Sequence, residues 1–285
     1  MIRSVLRLLC MLSCTAVLSA QESQLEFPAP SPASTLKQRL GLTDIEIVYS
    51  RPSVKNRPVF GGLVPYGQLW RTGANASTDI TFSTDVKLNG ASVPKGTYSL
   101  FSIPGKTEWT LIVNKVPAQP GTSKYDQATD LVRVKAQPVK QPQKVETFTI
   151  DINDLRDQSA TLNLIWENTR VPLKIETDVV SELQPKIKAA MSAPGPDDKK
   201  PYYQAAAFYY DHGLDINNAR QWIDAAVKQT DYHSFVHLQA KIMAKQGDKA
   251  AAIKAAERST ELAIKAEGPD SLLVKMNRDL ILSLR

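Results

Sequence analysis

The chain has 285 residues, a formal net charge of +6 and 42% hydrophobic residues. This length is enough for two domains of ordinary size, each able to bury a core of its own. Residues 21–177 carry 18 basic and 15 acidic side chains, and residues 178–285 carry 15 and 14. Neither part has the basic excess of a nucleic-acid-binding surface, so no nucleic-acid partner is expected.

Residues 1–20 have the features of a secretory signal peptide. Arg3 and Arg7 precede an apolar run from Leu8 to Leu18, and two small residues follow. The run is too short to span a bilayer, and no later stretch approaches 18 consecutive apolar residues, so no membrane span is expected. The sequence therefore predicts export to a periplasmic or extracellular location.

Both cysteines, Cys10 and Cys14, lie inside this segment. Cleavage after Ala20 would leave a mature chain without thiols, disulfides or thiolate metal sites. Lipid anchoring at Cys14 is the minor alternative, because "LSC" at 12–14 faintly resembles a lipoprotein cleavage site.

Residues 21–33 are predicted to be an extended, proline-rich tether, since residues 27–34, "FPAPSPAS", contain three prolines in eight positions. From Ser34 to Thr177 the periodicity is that of strands. Apolar residues alternate with polar ones in five sets: Ile45, Ile47 and Tyr49; Trp109, Leu111 and Val113; Phe148 and Ile150; Leu162, Leu164 and Trp166; Val171, Leu173 and Ile175.

Turn residues divide this part of the chain into short strands. Asn89 and Gly90 predict a tight hairpin, and "WENTRVPL" predicts a second one that turns at Asn168 and Thr169. Residues 116–143 contain four prolines and one strand around Leu131–Val134, which indicates a long crossover or an edge excursion. Residues 34–177 are therefore predicted to form an all-β domain, an antiparallel β-sandwich.

Residues 178–285 have the composition and spacing of helices. Gly213 and Gly247 lie 34 residues apart, and each follows one predicted helix and precedes another. Aligned on these glycines, small residues recur at matching positions, a pattern that resembles the tetratricopeptide repeat. Further helices near 179–191 and 270–283 are expected to cap two such repeats. The prediction is an all-α, tetratricopeptide-like helical-repeat domain after the all-β domain.

Three segments of the β part carry a family resemblance: "YSRPSVKNRPVFGGLVPYGQLWRTGANASTDITFSTDV", "GTYSLFSIPG" and "WTLIVNK". With these motifs, the chain from about Ser34 to Ile175 resembles a bacterial exported family catalogued as domain of unknown function 2911. The resemblance implies no activity, because the family has none established. It does imply helical repeats after the β domain, since members often have them.

The span between strand 43–49 and strand 79–83 is far longer than a usual sandwich loop, and long loops on rigid scaffolds often carry function. It offers guanidinium groups that could pair with an anion and an indole ring that could stack on an apolar face. These side chains are candidates for binding a small anionic or sugar-like ligand: Arg51, Lys55, Arg57, Trp70, Arg71 and Asn75. The structural alternative is that Trp70 plugs the end of the sandwich and Arg71 bonds to loop carbonyls.

The resemblance to tetratricopeptide arrays implies a second surface, because the first helix of each hairpin lines the groove of such arrays. The residues placed there are Tyr203, Tyr210, His237, Lys241 and Lys245. Such a groove could receive an acidic extended peptide from another envelope protein. The alternative is that these are ordinary exposed residues.

Three common motifs of hydrolases and nucleotide-binding enzymes are absent from the sequence. There is no "GxSxG", "GxxxxGK" or "GxGxxG", so no catalytic residue and no cofactor are proposed. His233 and His237 have the i, i+4 spacing of metal ligands, but a third ligand is missing, so no metal is expected. The leading hypothesis is an exported cell-envelope binding or scaffold protein. The alternative is an envelope hydrolase or carbohydrate-processing enzyme with a site in the 51–78 loop.

Overall fold

The computed structural model describes residues 27–196 and 199–285. The signal peptide, both cysteines and the first part of the tether lie outside the described residues. Export, cleavage and lipid anchoring at Cys14 therefore stay predictions.

Ten strands form the amino-terminal domain: β1 (Ala33–Leu40), β2 (Thr43–Ser50), β3 (Thr78–Phe82), β4 (Val86–Leu88), β5 (Ala91–Val93), β6 (Gly96–Ile103), β7 (Trp109–Asn114), β8 (Asp130–Ala136), β9 (Val139–Asn153) and β10 (Ser159–Thr177). They make a six-stranded sheet of order β1-β2-β3-β6-β7-β8 and a four-stranded sheet of order β5-β4-β10-β9. All neighbouring strands pair antiparallel. The predicted antiparallel two-sheet β domain is confirmed.

The core of this domain lies between the two sheets. Every residue of the five predicted alternating sets is buried, as expected when alternate side chains of a strand face one side. The Asn89–Gly90 hairpin is also confirmed: it joins β4 to β5, and its two residues have φ of 44° and 83°. Both values lie in the left-handed region, which this kind of turn requires and which asparagine and glycine tolerate best.

The predicted hairpin at Asn168 and Thr169 is wrong. β10 runs unbroken from Ser159 to Thr177, and Glu167 instead adopts φ 54°. The register with β9 shifts on both sides of Glu167, so the extra residues are absorbed as bulges within a continuing ladder. The polar stretch that resembled a turn is an irregular place in a long strand.

The excursion over residues 116–143 is confirmed in part. The strand predicted around Leu131–Val134 lies inside β8, but residues from Val139 onward already belong to β9. Pro142 is tolerated within β9 because that strand forms the edge of its sheet, where one side needs no N–H donor.

In the residues that the structure describes, six helices follow the β domain: α1 (Val179–Ser192), α2 (Tyr202–Asp211), α3 (Ile216–Gln229), α4 (His233–Lys245), α5 (Lys249–Glu267) and α6 (Leu272–Leu284). Gly213 and Gly247 lie between helices as predicted, with φ of 64° and 86°. α2 packs on α3, α4 on α5, and α5 on α6. The helical region is confirmed, whereas its repeat character stays a prediction.

The helices have a hydrophobic core of their own, which shares no residue with the core of the β domain. Four small residues, all at most 3% exposed, lie in α3 and α5: Ala219, Ala226, Ala252 and Ser259. Small buried side chains let neighbouring helices approach closely. None of the helices in the described ranges has the length and apolar character needed to span a membrane.

Candidate functional site

Trp70 belongs to the core of the β domain. Its side chain is 8% exposed, and its indole Nε1 donates to the Gly73 carbonyl oxygen at 2.9 Å. The ring stacks on Trp166 at 5.9 Å and meets Phe148 edge-on at 5.2 Å. Since the indole ring is buried against other aromatic side chains, it has no open face to offer to a ligand.

Two of the predicted binding arginines hold the loop in place. Arg51 donates from Nε to the Phe148 carbonyl oxygen at 3.0 Å and from Nη2 to Thr149 Oγ1 at 2.8 Å, which fastens the loop to β9. Arg57 donates from Nε and Nη2 to two carbonyl oxygens of its own turn, at 3.0 and 2.7 Å. In both residues the Nε–Nη2 edge of the guanidinium is bonded to the protein, so that edge is not free to pair with an anion.

Asn75 and Lys55 also have protein contacts of their own. The Asn75 amide donates to the Ser31 carbonyl oxygen and to Ser50 Oγ, each at 3.2 Å, so it connects the loop to the chain around β1 and β2. Lys55 is exposed, with φ 48°, and its backbone N–H donates to a Glu146 carboxylate oxygen at 2.9 Å. Five of the six predicted ligand-binding residues, Trp70, Arg51, Arg57, Asn75 and Lys55, therefore have hydrogen bonds of their own within the protein.

Arg71 differs from the other loop residues. It is half-buried, and its guanidinium makes no hydrogen bond or ion pair within residues 27–196 or 199–285. Its Nη1 lies against Gly121, where an added Cβ would come within 2.6 Å of that nitrogen. The sequence pattern gave no sign of this neighbour, because the two residues lie far apart in the chain and only folding joins them.

The helical region brings three of the predicted groove residues together. The Lys241 and Lys245 ammonium groups lie 4.7 and 4.9 Å from the centre of the Tyr210 ring, within cation–π range. Lys245 Nζ also donates to the Tyr210 carbonyl oxygen at 3.3 Å. Neither lysine has a carboxylate partner in the part of the chain that the structure describes.

Tyr203 on α2 stacks on Phe235 of α4, with ring centres 4.3 Å apart and an angle of 16° between the rings. Burial raises the pKa of Tyr203 and of Tyr210, and the negative charge of Asp211 adds to both increases. Both phenols are therefore neutral hydrogen-bonding groups at physiological pH. We call the surface formed by Tyr203, Tyr210, Phe235, Lys241 and Lys245 the α2–α4 face.

His237 is not part of the α2–α4 face. It is 8% exposed, and its Nδ1 lies 2.6 Å from Asn277 Oδ1 on α6. Burial lowers the pKa of the imidazole, the hydrogen bond to Asn277 raises it by a smaller amount, and the positive charge of Lys241 lowers it further. The sequence prediction placed His237 beside the lysines, whereas the structure turns its ring toward α6.

The other histidine of the i, i+4 pair has its own neighbour, since His233 Nε2 lies 3.3 Å from a Glu267 carboxylate oxygen. Within the described ranges, no group of three or more histidine, cysteine, aspartate or glutamate side chains is placed to hold a metal ion. Each imidazole has a protein partner that accounts for its position.

Over residues 27–196 and 199–285 the structure thus has an antiparallel two-sheet β domain followed by six helices. The β domain holds an arginine without a hydrogen-bond or ion-pair partner in those ranges, and the helical region has a cationic aromatic face. A family model described as "Protein of unknown function (DUF2911)" matches residues 31–175. The chain belongs to this family, and the match covers the β domain and ends before α1. No curated protein and no solved structure matches the chain.

Proposed function

We propose that the protein is an exported cell-envelope binding protein whose helical region holds an acidic, extended segment of another envelope protein. The observation that carries this proposal is the α2–α4 face, where two ammonium groups share one tyrosine ring at 4.7 and 4.9 Å and have no carboxylate partner among the described residues. Cations held over an aromatic ring are already positioned. Binding of a carboxylate therefore costs less side-chain entropy than it would with mobile lysines.

The spacing of helices and small residues supports a tetratricopeptide-like arrangement for this region. The α2–α3 and α4–α5 pairs are offset by the 34 residues between Gly213 and Gly247. In such an arrangement α2 and α4 are the first helices of two successive units and lie side by side. The contacts agree with parallel neighbours, because Tyr203 meets Phe235 while Tyr210, further along α2, meets Lys241 and Lys245, further along α4.

The two ends of the α2–α4 face favour different side chains. Tyr203 and Phe235 form an aromatic end, and Tyr210 with its two lysines forms a cationic end. Seven residues of helix separate Tyr203 from Tyr210, a distance of about 10 Å. An extended peptide advances about 3.3 Å per residue, so about three residues span that distance. The preferred ligand therefore has an apolar and an acidic residue about three positions apart.

Asp211 opposes this charge complementarity. Its carboxylate lies close enough to raise the pKa of both Tyr203 and Tyr210, so it also weakens the attraction of the face for a peptide carboxylate. Replacing it with asparagine removes that repulsion without changing the size of the side chain. The proposal therefore expects Asp211→Asn to strengthen binding of an acidic peptide.

The test is a binding titration of the whole protein with labelled peptides. One peptide carries phenylalanine and aspartate three positions apart, one has asparagine in place of aspartate, and one has the two residues adjacent. Lys241→Glu with Lys245→Glu is expected to weaken binding of the first peptide at least about tenfold, since two attractive contacts become repulsive. Fluorescence anisotropy gives the affinities.

The matched control is Lys254→Glu with Lys265→Glu, which makes the same charge change on exposed positions of α5. It is expected to leave affinity within about twofold, because interactions between distant exposed charges are largely screened. Equal loss in the two double variants, or tight binding of the asparagine peptide by the wild type, would contradict the proposal. Circular dichroism of each variant separates lost binding from lost folding.

The contacts of the 51–78 loop do not favour the alternative of an envelope hydrolase or carbohydrate-processing enzyme. Such a site needs an acid, a base or a nucleophile converging with the arginine. Trp70 is committed to the core and the Asn75 amide to two protein acceptors. These contacts account for the loop without a reaction.

A further inference from the structure

The geometry points to a second binding site, in the β domain, where Arg71 and the turn Gly121–Lys124 together bind a phosphate group. It is separate from the α2–α4 face and independent of it. The site depends on four features: an arginine without a partner, a glycine that lets it lie on the turn, free donors in that turn, and a segment fixed in place before any ligand arrives.

Arg71 stands out by comparison with its neighbours in the same loop. Arg51 and Arg57 are each bonded through two guanidinium nitrogens to the protein, but the half-buried Arg71 has no such bond in the part of the chain described here. A guanidinium carries five N–H donors, and leaving them without acceptors in a partly desolvated place costs free energy. A bound oxyanion would satisfy them.

Gly121 sets the position of the guanidinium. Its φ is 93°, and the absence of a side chain is what allows Arg71 Nη1 to lie against its backbone. The carbonyl oxygen of Asn75 also lies nearby, 3.7 Å from the place of the missing Cβ. The arginine is therefore held at the turn rather than extended into solvent.

The residues after Gly121 supply further donors. Thr122, Ser123 and Lys124 are exposed, and their backbone N–H groups have no acceptor among the residues that the structure includes. Consecutive N–H groups next to a residue with positive φ form the kind of concave turn that binds anions. Two hydroxyl groups and the Lys124 ammonium belong to the same three residues.

The segment before this turn is fixed by buried hydrogen bonds. Gln119 is 3% exposed; its N–H donates to Ser77 Oγ at 3.0 Å, and its carbonyl oxygen accepts from the N–H of Ser77 at 2.9 Å and of Gly121 at 2.8 Å. The Ala118 N–H donates to Asp79 at 2.9 Å. A site that is ordered before binding loses less entropy when the ligand arrives.

The number of donors favours phosphate over carboxylate. The Arg71 guanidinium lies against Gly121, and the next three residues carry backbone N–H groups and an ammonium, while a phosphate group offers three terminal oxygens and a charge of about −1.5 to −2. Two carboxylates adjoin this segment, since Asp79 accepts from the Ala118 N–H and Asp126 follows Lys124 by two positions, and both are engaged in hydrogen bonds from the protein. A carboxylate would leave part of this donor set unused.

The test is a titration of the whole protein with inorganic phosphate at constant ionic strength, followed by amide NMR shifts and by the unfolding temperature. Saturable shifts are expected at Thr122, Ser123 and Lys124 and not at the helices. Acetate and chloride at the same ionic strength should produce no saturable shift. A wild type without saturable phosphate shifts, or with equal shifts in acetate, would overturn the proposal.

Variants identify the donors. Arg71→Met and Arg71→Lys are each expected to raise the phosphate dissociation constant at least about tenfold, the second because lysine keeps the charge but lacks the fork. Lys124→Met should raise it several-fold, and Lys55→Met, an exposed lysine elsewhere in the loop, should leave it unchanged. Equal affinity in Arg71→Lys and wild type would reject the guanidinium as the binding group even if Arg71→Met fails to fold.

Discussion

His237 lies in a buried chain of hydrogen bonds that connects α4, α5 and α6. Asn277 donates from Nδ2 to Ser259 Oγ at 2.9 Å, and Ser259 Oγ donates to the His233 carbonyl oxygen at 2.8 Å. Asn277 therefore presents Oδ1 to the imidazole, so Nδ1 of His237 carries the proton and donates. Nε2 is buried and has no partner in the described ranges. The neutral ring fits this network, and the charged ring does not.

This arrangement predicts that acid weakens the helical region. Because burial lowers the pKa of His237 in the folded protein, the unfolded chain binds more protons between that lowered pKa and the ordinary value of about 6.5. The unfolding free energy therefore has its full value above about pH 6.5. It decreases as the pH falls from about 6.5 to the lowered pKa, with a slope of at most about 1.4 kcal/mol per pH unit, and levels off below that pKa.

Urea unfolding followed by the helical circular dichroism signal, between about pH 5 and pH 7.5, measures this slope. His237→Gln keeps a hydrogen-bonding side chain but removes the titration, so its slope should be smaller than that of the wild type. His212→Gln is the control, because that histidine is not in the network. Identical slopes for His237→Gln and wild type would show that another group is responsible.

Single residues also show where sequence information ends. The Tyr98 hydroxyl donates to the Pro94 carbonyl oxygen at 2.9 Å, a local contact that the spacing of tyrosine and turn makes predictable. Arg51, Arg57 and Arg71 are equivalent candidates in the sequence, because each is a cation in one loop. Arg51 donates to β9 and Arg57 to its own turn, whereas Arg71 has no acceptor among the described residues. Only the three-dimensional path of the chain distinguishes the three.

Among the elements, β10 is the one whose local pattern and actual structure disagree most. Glu167, with φ 54°, sits where the register against β9 shifts. A side chain in the left-handed region costs about 1–2 kcal/mol, and glycine avoids that cost. Glu167→Gly is therefore expected to leave the unfolding free energy unchanged or to raise it by up to about 1 kcal/mol.

Glu167→Val should lower the unfolding free energy by about 1–2 kcal/mol, since a β-branched residue tolerates positive φ worst. Chemical denaturation followed by tryptophan fluorescence gives both values. Lys174→Val provides the comparison at an exposed position of β10 without positive φ. If valine is tolerated equally at both positions, the left-handed bulge at Glu167 is not the conformation in solution.

Regular elements are predictable here where local spacing alone determines them. Alternation gave the inward faces of β2, β7 and β10, and glycine spacing gave the breaks after α2 and α4. The hairpin predicted within β10 was wrong because "ENTR" is as polar as a turn. Only the pairing with β9 decides that the strand continues. Whether the helices repeat depends in the same way on packing between them, which spacing suggests but does not determine.

At the scale of the whole molecule, two separate hydrophobic cores predict two separate unfolding events. Three tryptophans, Trp70, Trp109 and Trp166, lie in the first core, and Trp222 lies in the second. In Trp222→Phe, fluorescence therefore reports the β domain alone, while the helical circular dichroism signal reports the second core. Urea is expected to give transitions with different midpoints.

The outcome that would contradict this expectation is a single midpoint for both signals in Trp222→Phe and in the wild type. Such coincidence is the usual sign of one cooperative unit. The acid dependence assigned to His237 supplies a second check, because lowering the pH should move the helical transition more than the fluorescence transition.

Only Asp178 separates the last residue of β10, Thr177, from the first residue of α1, Val179. Under the proposed function, a force applied to the helices by a captured partner would be transmitted directly into the longest described strand, β10. β10 is hydrogen-bonded to β9 over most of its length and to β4 at its end. Tension along that strand loads many hydrogen bonds at once, in shear, instead of opening them one after another, which would give the proposed partner-holding role a suitable mechanical anchorage.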